Sequence, residues 1–236
     1  MNQGIGRLVT QVWRIDLSAR AEESFRAGSD HAILDQEENR RAKAFKFDRD
    51  RDRFIRAHVA MRRLLSRVTG IASDKLSVQR DELGKPTLTP PCGVQFNLSH
   101  SEDQALLAVS RATRIGVDLE KIRPLSDADA LAERHFSARE RAHLRSLPVG
   151  AARERAFFHC WTRKEAFVKC TGLGLRTDLR GIESGFSGDM MVGGVLIRSL
   201  PVVDAFAAAI AIEGKQEAVE ILDYRDTSGW RNESCT

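Results

Sequence analysis

Shifted along itself by 102 positions, the chain falls into register at several points in the same order. Leu34 meets Phe136, Asp35 meets Ser137 and Glu38 meets Glu140, so that Asp-x-x-Glu is matched by Ser-x-x-Glu. Each is a capping box, in which the cap oxygen takes an orphan backbone N–H and the glutamate reaches back to the cap's own N–H. The same shift lays Thr69-Gly70 on Thr171-Gly172, each closing a helical pattern with a residue suited to the left-handed C-cap. It also lays Val117-Asp118-Leu119 on Val219-Glu220-Ile221, each alternating as a strand does. One such match is weak; an ordered set at one offset predicts two related halves.

Each half then reads as a short capped helix, a long helix and a run of strands. The first long helix is expected from about Asp50 to Val68, with Phe54, Ala57, His58, Met61, Leu65 and Val68 on one face, and the second from about Ala151 to Thr171. Strands are expected at 76–79, 95–98, 105–110 and 115–119 in the first half, and at 190–197, 205–212 and 218–224 in the second. Strands following helices favour an α+β fold, with helices packed on a mainly antiparallel sheet in each half and a pseudo-twofold axis between them. The expected division is residues 1–112, residues 113–228 and a loose tail at 229–236. With 236 residues there is enough chain to bury a sizeable core.

Chemistry concentrates in three segments. On the strand Ile115–Leu119 and its continuation, Asp118 and Glu120 are two apart and project to one face. Like charges held that close raise one another's pKa unless a cation lies between them, which points to a bound metal. In Trp161-Thr-Arg-Lys-Glu-Ala-Phe-Val-Lys169, Glu165 and Lys169 share a helix face. That helix is apolar on most sides, with Phe157, Phe158, Trp161, Ala166 and Phe167, and a charge buried in it needs a partner or a purpose. An all-oxygen ligand set of Asp118, Glu120 and Glu165 suits Mg²⁺, which completes its shell with water and substrate phosphates. Lys169, and His100 in Phe96-Asn97-Leu98-Ser99-His100-Ser101, are then available to phosphate oxygens.

The net charge of +4 is unevenly spread. Between Arg40 and Arg67 eleven basic residues face three acidic ones, a local +8 that implies an acidic partner. A basic half supplying phosphate ligands and an acidic half supplying metal ligands predict a single active site where the halves meet. A Mg²⁺-dependent nuclease or other nucleic-acid-processing enzyme is the alternative reading, but Asp48, Asp50 and Asp52 interrupt the basic run and would repel a phosphate backbone. A binding module without catalysis is a third. The four cysteines form no zinc or disulfide pattern, and no apolar run is long enough to span a membrane, so a cytoplasmic location is expected.

Taken in order, Gly84-Lys85-Pro86, Phe96 to Ser101, Gly116-Val117-Asp118-Leu119-Glu120, and Trp161 to Lys169 followed by Thr171-Gly172-Leu173-Gly174-Leu175 resemble the Sfp-type 4'-phosphopantetheinyl transferases. The resemblance spans nearly the whole chain and implies that family's two-lobed fold. It implies transfer of 4'-phosphopantetheine from coenzyme A to a serine of an apo acyl, peptidyl or aryl carrier protein, with release of adenosine 3',5'-bisphosphate, by a monomer with no nucleic-acid or membrane partner. By the same resemblance Asp118, Glu120 and Glu165 hold Mg²⁺, and Lys169 and His100 contact phosphate. Lys85 and Pro86 lie along the adenine, Arg41 and Arg80 take the 3'-phosphate beside Ser99, and Asn97 belongs to the coenzyme A site. Arg40, Lys43 and Arg53 are substitutes for those arginines, and Glu102 and Asp103 have no role in this scheme.

Overall fold

The computed structural model describes residues 9–19, 25, 31–82, 84–111, 113–174, 178–214 and 218–225. Both capping boxes form. Asp35 opens helix α1 (Gln36–Lys43), accepting from the Glu38 N–H at 2.8 Å while Glu38 accepts from the Asp35 N–H at 3.0 Å. Helices α2 (Asp48–Thr69) and α3 (Ala128–His135) follow. Ser137 opens α4 (Ala138–Ser146) with the same reciprocal bonds, at 3.1 and 2.9 Å. Helix α2 and its counterpart α5 (Ala151–Thr171) end on Gly70 and Gly172, at φ 76° and 72°, whose N–H groups reach the carbonyls of Ser66 and Val168.

The repeat extends inside the protein. Arg62 and Lys164, also 102 apart, are both fully buried on the long helices, and each meets the capping-box glutamate of its own half. The Arg62 Nε lies 2.6 Å from Glu38 and the Lys164 Nζ 2.8 Å from Glu140. Each cation also donates to carbonyls of the following loop, Arg62 to Leu76 and Lys164 to Leu179, each at 2.9 Å. Satisfied this fully, a buried ion pair is tolerable; with one partner removed it costs about 3–5 kcal/mol.

Two four-stranded sheets lie under the helices. The first is ordered β10 (Ala218–Asp223), β1 (Val9–Asp16), β5 (Gln104–Ser110), β4 (Gln95–Ser101), and the second β6 (Ile115–Lys121), β9 (Phe206–Glu213), β8 (Val195–Ser199), β7 (Met190–Val192). A ribbon of β2 (Ser77–Arg80) and β3 (Pro86–Thr89) stands apart. Every pairing is antiparallel except β1 with β10. The fold is therefore α+β with mainly antiparallel sheets.

Period-two alternation sorts the strands between three cores. Helix α2 buries Phe54, Ala57, Met61 and Leu65 on the first sheet, against Phe96, Leu107 and Val109. Helix α5 buries Ala166, Phe167 and Cys170 on the second, against Ile197, Ala209 and Ala211. Between the sheets lies a third cluster, built from Val12, Leu106 and Ala108 on one side and Ile115, Val117, Leu119, Ile210 and Ile212 on the other. Because Ile115, Val117 and Leu119 face that cluster, Gly116, Asp118 and Glu120 are turned toward α5.

The architecture departs from the sequence expectation at definite places. Strands β1 and β3 and helix α3 were not anticipated, and 190–197 is two strands, because Gly193 and Gly194 take φ of 56° and 82° and turn the chain. Strand β10, from the segment expected to belong to the second half, pairs in parallel with β1 in the first sheet. The tail expected at 229–236 lies outside the described residues.

Candidate active site

A cleft of about 480 Å³ opens where the two sheets meet, lined by Arg41, Arg80, Lys85, Pro86, Asn97, His100 and Lys169 from the expected set. Both halves contribute to its lining. Gly172 and Gly174 reach its wall, while Leu175 lies outside the described residues. Asp35, Glu38, His58 and Met61 also line it and were not singled out as site residues. The signal for His58 was its place on the apolar face of α2, where it stacks on Phe54 at 3.9 Å between centroids with Nδ1 2.9 Å from the Phe54 carbonyl. Burial pushes its pKa down to about 3, so His58 is a neutral wall of the cleft.

Behind Lys169 lie the carboxylates. Asp118 is buried, and its Oδ1 accepts from Lys169 Nζ at 2.6 Å and from Ser99 Oγ at 3.0 Å. Among the described residues its Oδ2 is buried without a partner, and so is Glu165 Oε1. The Glu165 carboxyl is raised to about 7, first by burial and then by the charges of Asp118 and Glu120, with Lys169 opposing. Glu120, whose Oε2 accepts from Ser101 Oγ at 3.3 Å, is raised by burial and then by Asp118. The three carboxylates thus feel one another electrostatically. Among the described residues, however, no three acidic, histidine or cysteine side chains are gathered closely enough to form a metal cage. Lys169 shares a helix face with Glu165, but its ion pair among the described residues is with Asp118.

Two orphaned carboxylate oxygens in a buried, mutually repelling acidic group are what a small cation would satisfy, and oxygen-only donors suit Mg²⁺. The donor chemistry of these residues fits such an ion, although among the described residues the three carboxylates are not drawn into a cage. His100 stands exposed at the cleft, its pKa lowered by partial burial and then by the nearby Lys169, Arg41 and Arg53.

Other expected site residues do different work. The Ser99 hydroxyl donates to Asp118 and accepts from Lys169 at 3.1 Å, and it does not line the cleft. Lys85 lines the cleft, but its buried ammonium donates across the junction to the carbonyls of Ile115 at 3.1 Å and Cys170 at 3.2 Å. The second of these lies in the last turn of α5, where a cation complements the helix dipole. Arg53 is held by Glu102 and Asp103, each at 2.8 Å, and by Asp50. That contact explains the acidic turn after Ser101 and removes Arg53 from the phosphate ligands. Arg41 instead lies over the Phe54 ring, 4.9 Å from its centroid, at the cleft.

Several charges of the basic run are paired: Arg49 and Arg53 meet Asp50, Arg51 meets Asp48 and Asp52, and Arg40 meets Glu37 just before the run. Acidic side chains held along the run would repel a nucleic-acid backbone, which disfavours the nuclease alternative.

Comparison with known proteins agrees with the geometry. Residues 24–112 match the family model described as 4'-phosphopantetheinyl transferase, N-terminal, and residues 114–189 that of the 4'-phosphopantetheinyl transferase superfamily. The chain is 40% identical over 147 residues to the 4'-phosphopantetheinyl transferase HetI of Nostoc sp., covering 61% of this chain and 62% of the relative. It is 36% identical over 148 residues to the 4'-phosphopantetheinyl transferase psf-1 of Bacillus pumilus, covering 63% and 62%. The L-aminoadipate-semialdehyde dehydrogenase-phosphopantetheinyl transferase of Xenopus laevis is 32% identical over 158 residues, covering 62% of this chain and 52% of the relative. The chain thus spans less than two thirds of the length of the curated relatives it matches. With a two-sheet fold, a cationic cleft at the sheet junction and both family models matched in order, the chain belongs to the 4'-phosphopantetheinyl transferase superfamily.

Proposed function

We propose that this protein transfers the 4'-phosphopantetheine group from coenzyme A to a serine of an apo carrier protein, in a Mg²⁺-dependent reaction that releases adenosine 3',5'-bisphosphate. The observation that carries the reading is the orphaned oxygen pair, Asp118 Oδ2 and Glu165 Oε1, behind a cleft lined by Arg41, Arg80, His100 and Lys169.

Phosphoryl transfer needs positioning and charge neutralisation more than covalent help from the protein. The serine oxygen bonds to the β-phosphorus of coenzyme A as its proton passes to a base, for which Glu165 is the candidate, directly or through a water; the bond from that phosphorus to the bridging oxygen breaks, and the bisphosphate leaves with the electron pair. Asp118, Glu120 and Glu165 would hold the ion, and when bound it supplies neutralisation of the pyrophosphate charge. Arg41 and Arg80, on the first-half wall, suit the 3'-phosphate. Lys169 and His100, at the junction, suit the pyrophosphate. Ser99 and Lys169 both donate to Asp118 Oδ1 and so fix the direction of its free oxygen.

One carboxylate does not serve both as a tight ligand and as a strong base. Glu165→Gln separates the roles: loss of a ligand raises the Mg²⁺ concentration needed for half-maximal rate, whereas loss of a base lowers the rate at every Mg²⁺ concentration.

The deciding experiment is incubation with coenzyme A, Mg²⁺ and a panel of apo carrier domains, read by intact mass. A mass gain matching phosphopantetheine on a carrier supports the proposal. No gain on any carrier, from protein that binds coenzyme A, overturns it.

A further inference from the structure

Strands β4 and β6 are edges of different sheets, and an edge strand presents a row of unpaired N–H and C=O groups. They run side by side without a backbone hydrogen bond between them among the described residues. Side chains replace that ladder. The N–H of Val117 donates to Asn97 Oδ1 at 2.8 Å, that of Leu119 to Ser99 Oγ at 3.3 Å, and that of Lys121 to Ser101 Oγ at 3.0 Å. The carbonyls on the same edge are taken by ammonium groups: Ile115 by Lys85 at 3.1 Å and Val117 by Lys169 at 3.3 Å. The partners advance together, two residues at a time, so β4 and β6 are parallel and in fixed register.

We infer that Asn97 and Ser101, with Ser99 between them, are positioning residues that lock the register of β6 against β4 and so place the Asp118 and Glu120 carboxylates. The inference rests on the transfer reading above for its catalytic consequence.

The physical case has three parts. A slip of one residue would exchange the faces of β6, turning Val117 and Leu119 toward α5 and both carboxylates into the apolar cluster between the sheets. A slip of two would keep the faces but carry each carboxylate to a different hydroxyl, although Ser99 and Ser101 now donate to Asp118 and Glu120 respectively. Each serine thus ties both the backbone and the acid of its own rung. Finally, the polar positions 97, 99 and 101 give Phe96-Asn-Leu-Ser-His-Ser101 its alternation: three rungs toward β6, with Phe96 in the first-sheet core and His100 at the cleft. Asn97, expected to be a coenzyme A contact, has its oxygen committed to Val117.

The test uses the full chain carrying Ser101→Ala, Ser101→Thr or Asn97→Ala, with two readouts. The first is amide hydrogen exchange. Loss of a rung speeds exchange at its own N–H, Lys121 in Ser101→Ala and Val117 in Asn97→Ala, by about tenfold, while Ser101→Thr keeps the oxygen and the protection. The second is transfer kinetics. Misplacing a reacting group by about 1 Å costs on the order of a hundredfold, so kcat falls roughly tenfold to a hundredfold in Ser101→Ala while KM for coenzyme A changes less than about twofold. Threonine restores kcat. If Asn97→Ala fails to fold, Ser101→Ala decides, because it lies at a strand end and is only half-buried. Unchanged exchange at Lys121, or unchanged kcat in Ser101→Ala, overturns the inference. The expected exchange pattern in a wild-type protein that transfers nothing overturns the transfer reading and leaves the register lock standing.

Discussion

At Gly116 the backbones of β6 and α5 approach closely, and replacing it with alanine tests whether that approach sets the site. A Cβ there would lie 2.2 Å from the Ala166 carbonyl oxygen, 2.3 Å from the Cys170 nitrogen and 2.8 Å from the Lys169 carbonyl carbon. All three are backbone atoms, so no side chain can swing aside. Recovering an ordinary contact of 3.4 Å from 2.2 Å requires helix and strand to separate by about 1.2 Å. Overpacking typically costs about 1–3 kcal/mol, and a clash with backbone on every side belongs at the upper end. At about 2–4 °C per kcal/mol for a chain of this size, Gly116→Ala should lower Tm by about 6–12 °C. The same displacement stretches the 2.6 Å contact from Lys169 to Asp118, because the two residues belong to the separated elements. Activity at a temperature where the variant is still folded should therefore fall as well. Differential scanning calorimetry and the intact-mass assay check both, with Gly181→Ala as a control, since a methyl at that position meets nothing within 4 Å. A Gly116→Ala protein melting within 2 °C of wild type, with its full rate, would refute the reasoning.

Asp118→Ala should abolish transfer without unfolding the chain, and Lys169→Ala should raise KM for coenzyme A and lower kcat together; steady-state kinetics beside circular dichroism check both. Glu140→Gln, which leaves the fully buried Lys164 without its counterion, should cost about 3–5 kcal/mol by urea titration. Burial pushes the Glu140 carboxyl up, but the Lys164 ammonium and the N–H groups of Ser137 and Ser184 outweigh it, so its pKa lies below the ordinary 4.5. A depressed carboxyl stabilises the fold above 4.5 and loses that contribution as pH falls through the folded value. The urea midpoint of wild type should therefore drop below pH 4.5 more steeply than that of Glu140→Gln. Arg53→Ala frees the turn at Glu102 and Asp103, whose side chains are about half exposed, and should cost about 1 kcal/mol.

Much of this was legible because caps, glycine stops and apolar periodicity are local. The boxes at Asp35 and Ser137, the stops at Gly70 and Gly172, and the face of Phe54, Ala57 and Met61 need only neighbours in sequence. The cleft was legible through its cations. What escaped depends on partners remote in sequence. Val9–Asp16 carries Thr10, Gln11 and Arg14 among its apolar residues, and is a strand because β5 and β10 flank it. Lys85 reads as a ligand for the cleft until its ammonium is seen against Ile115 and Cys170. Glu102 and Asp103 read as a misplaced acidic turn until Arg53, about fifty residues earlier, comes to meet them. The ion pairs of Arg62 and Lys164 have a local trace in the sequence, since both basic positions obey the 102-residue offset that relates the capping boxes.

The exchange of strands between the sheets bears on how the cleft works. After β5 the chain leaves the first sheet to begin the second with β6, and after β9 it leaves the second to pair β10 with β1. The chain thus passes between the sheets at both ends of the second one, and the apolar cluster between the sheets includes residues of β1, β5, β6 and β9. Hinge motion needs a boundary that few contacts cross. Opening the junction here would expose fully buried Val12, Ala108, Val117 and Ile210, at about 25 cal/mol for each Å² uncovered, and would break the rungs on β4. The two walls of the cleft are therefore held at a set separation before any ligand arrives. Adjustment to a ligand falls to long side chains at the surface of the cleft, Arg41, Arg80 and Lys169, and the buried carboxylates behind them keep their places.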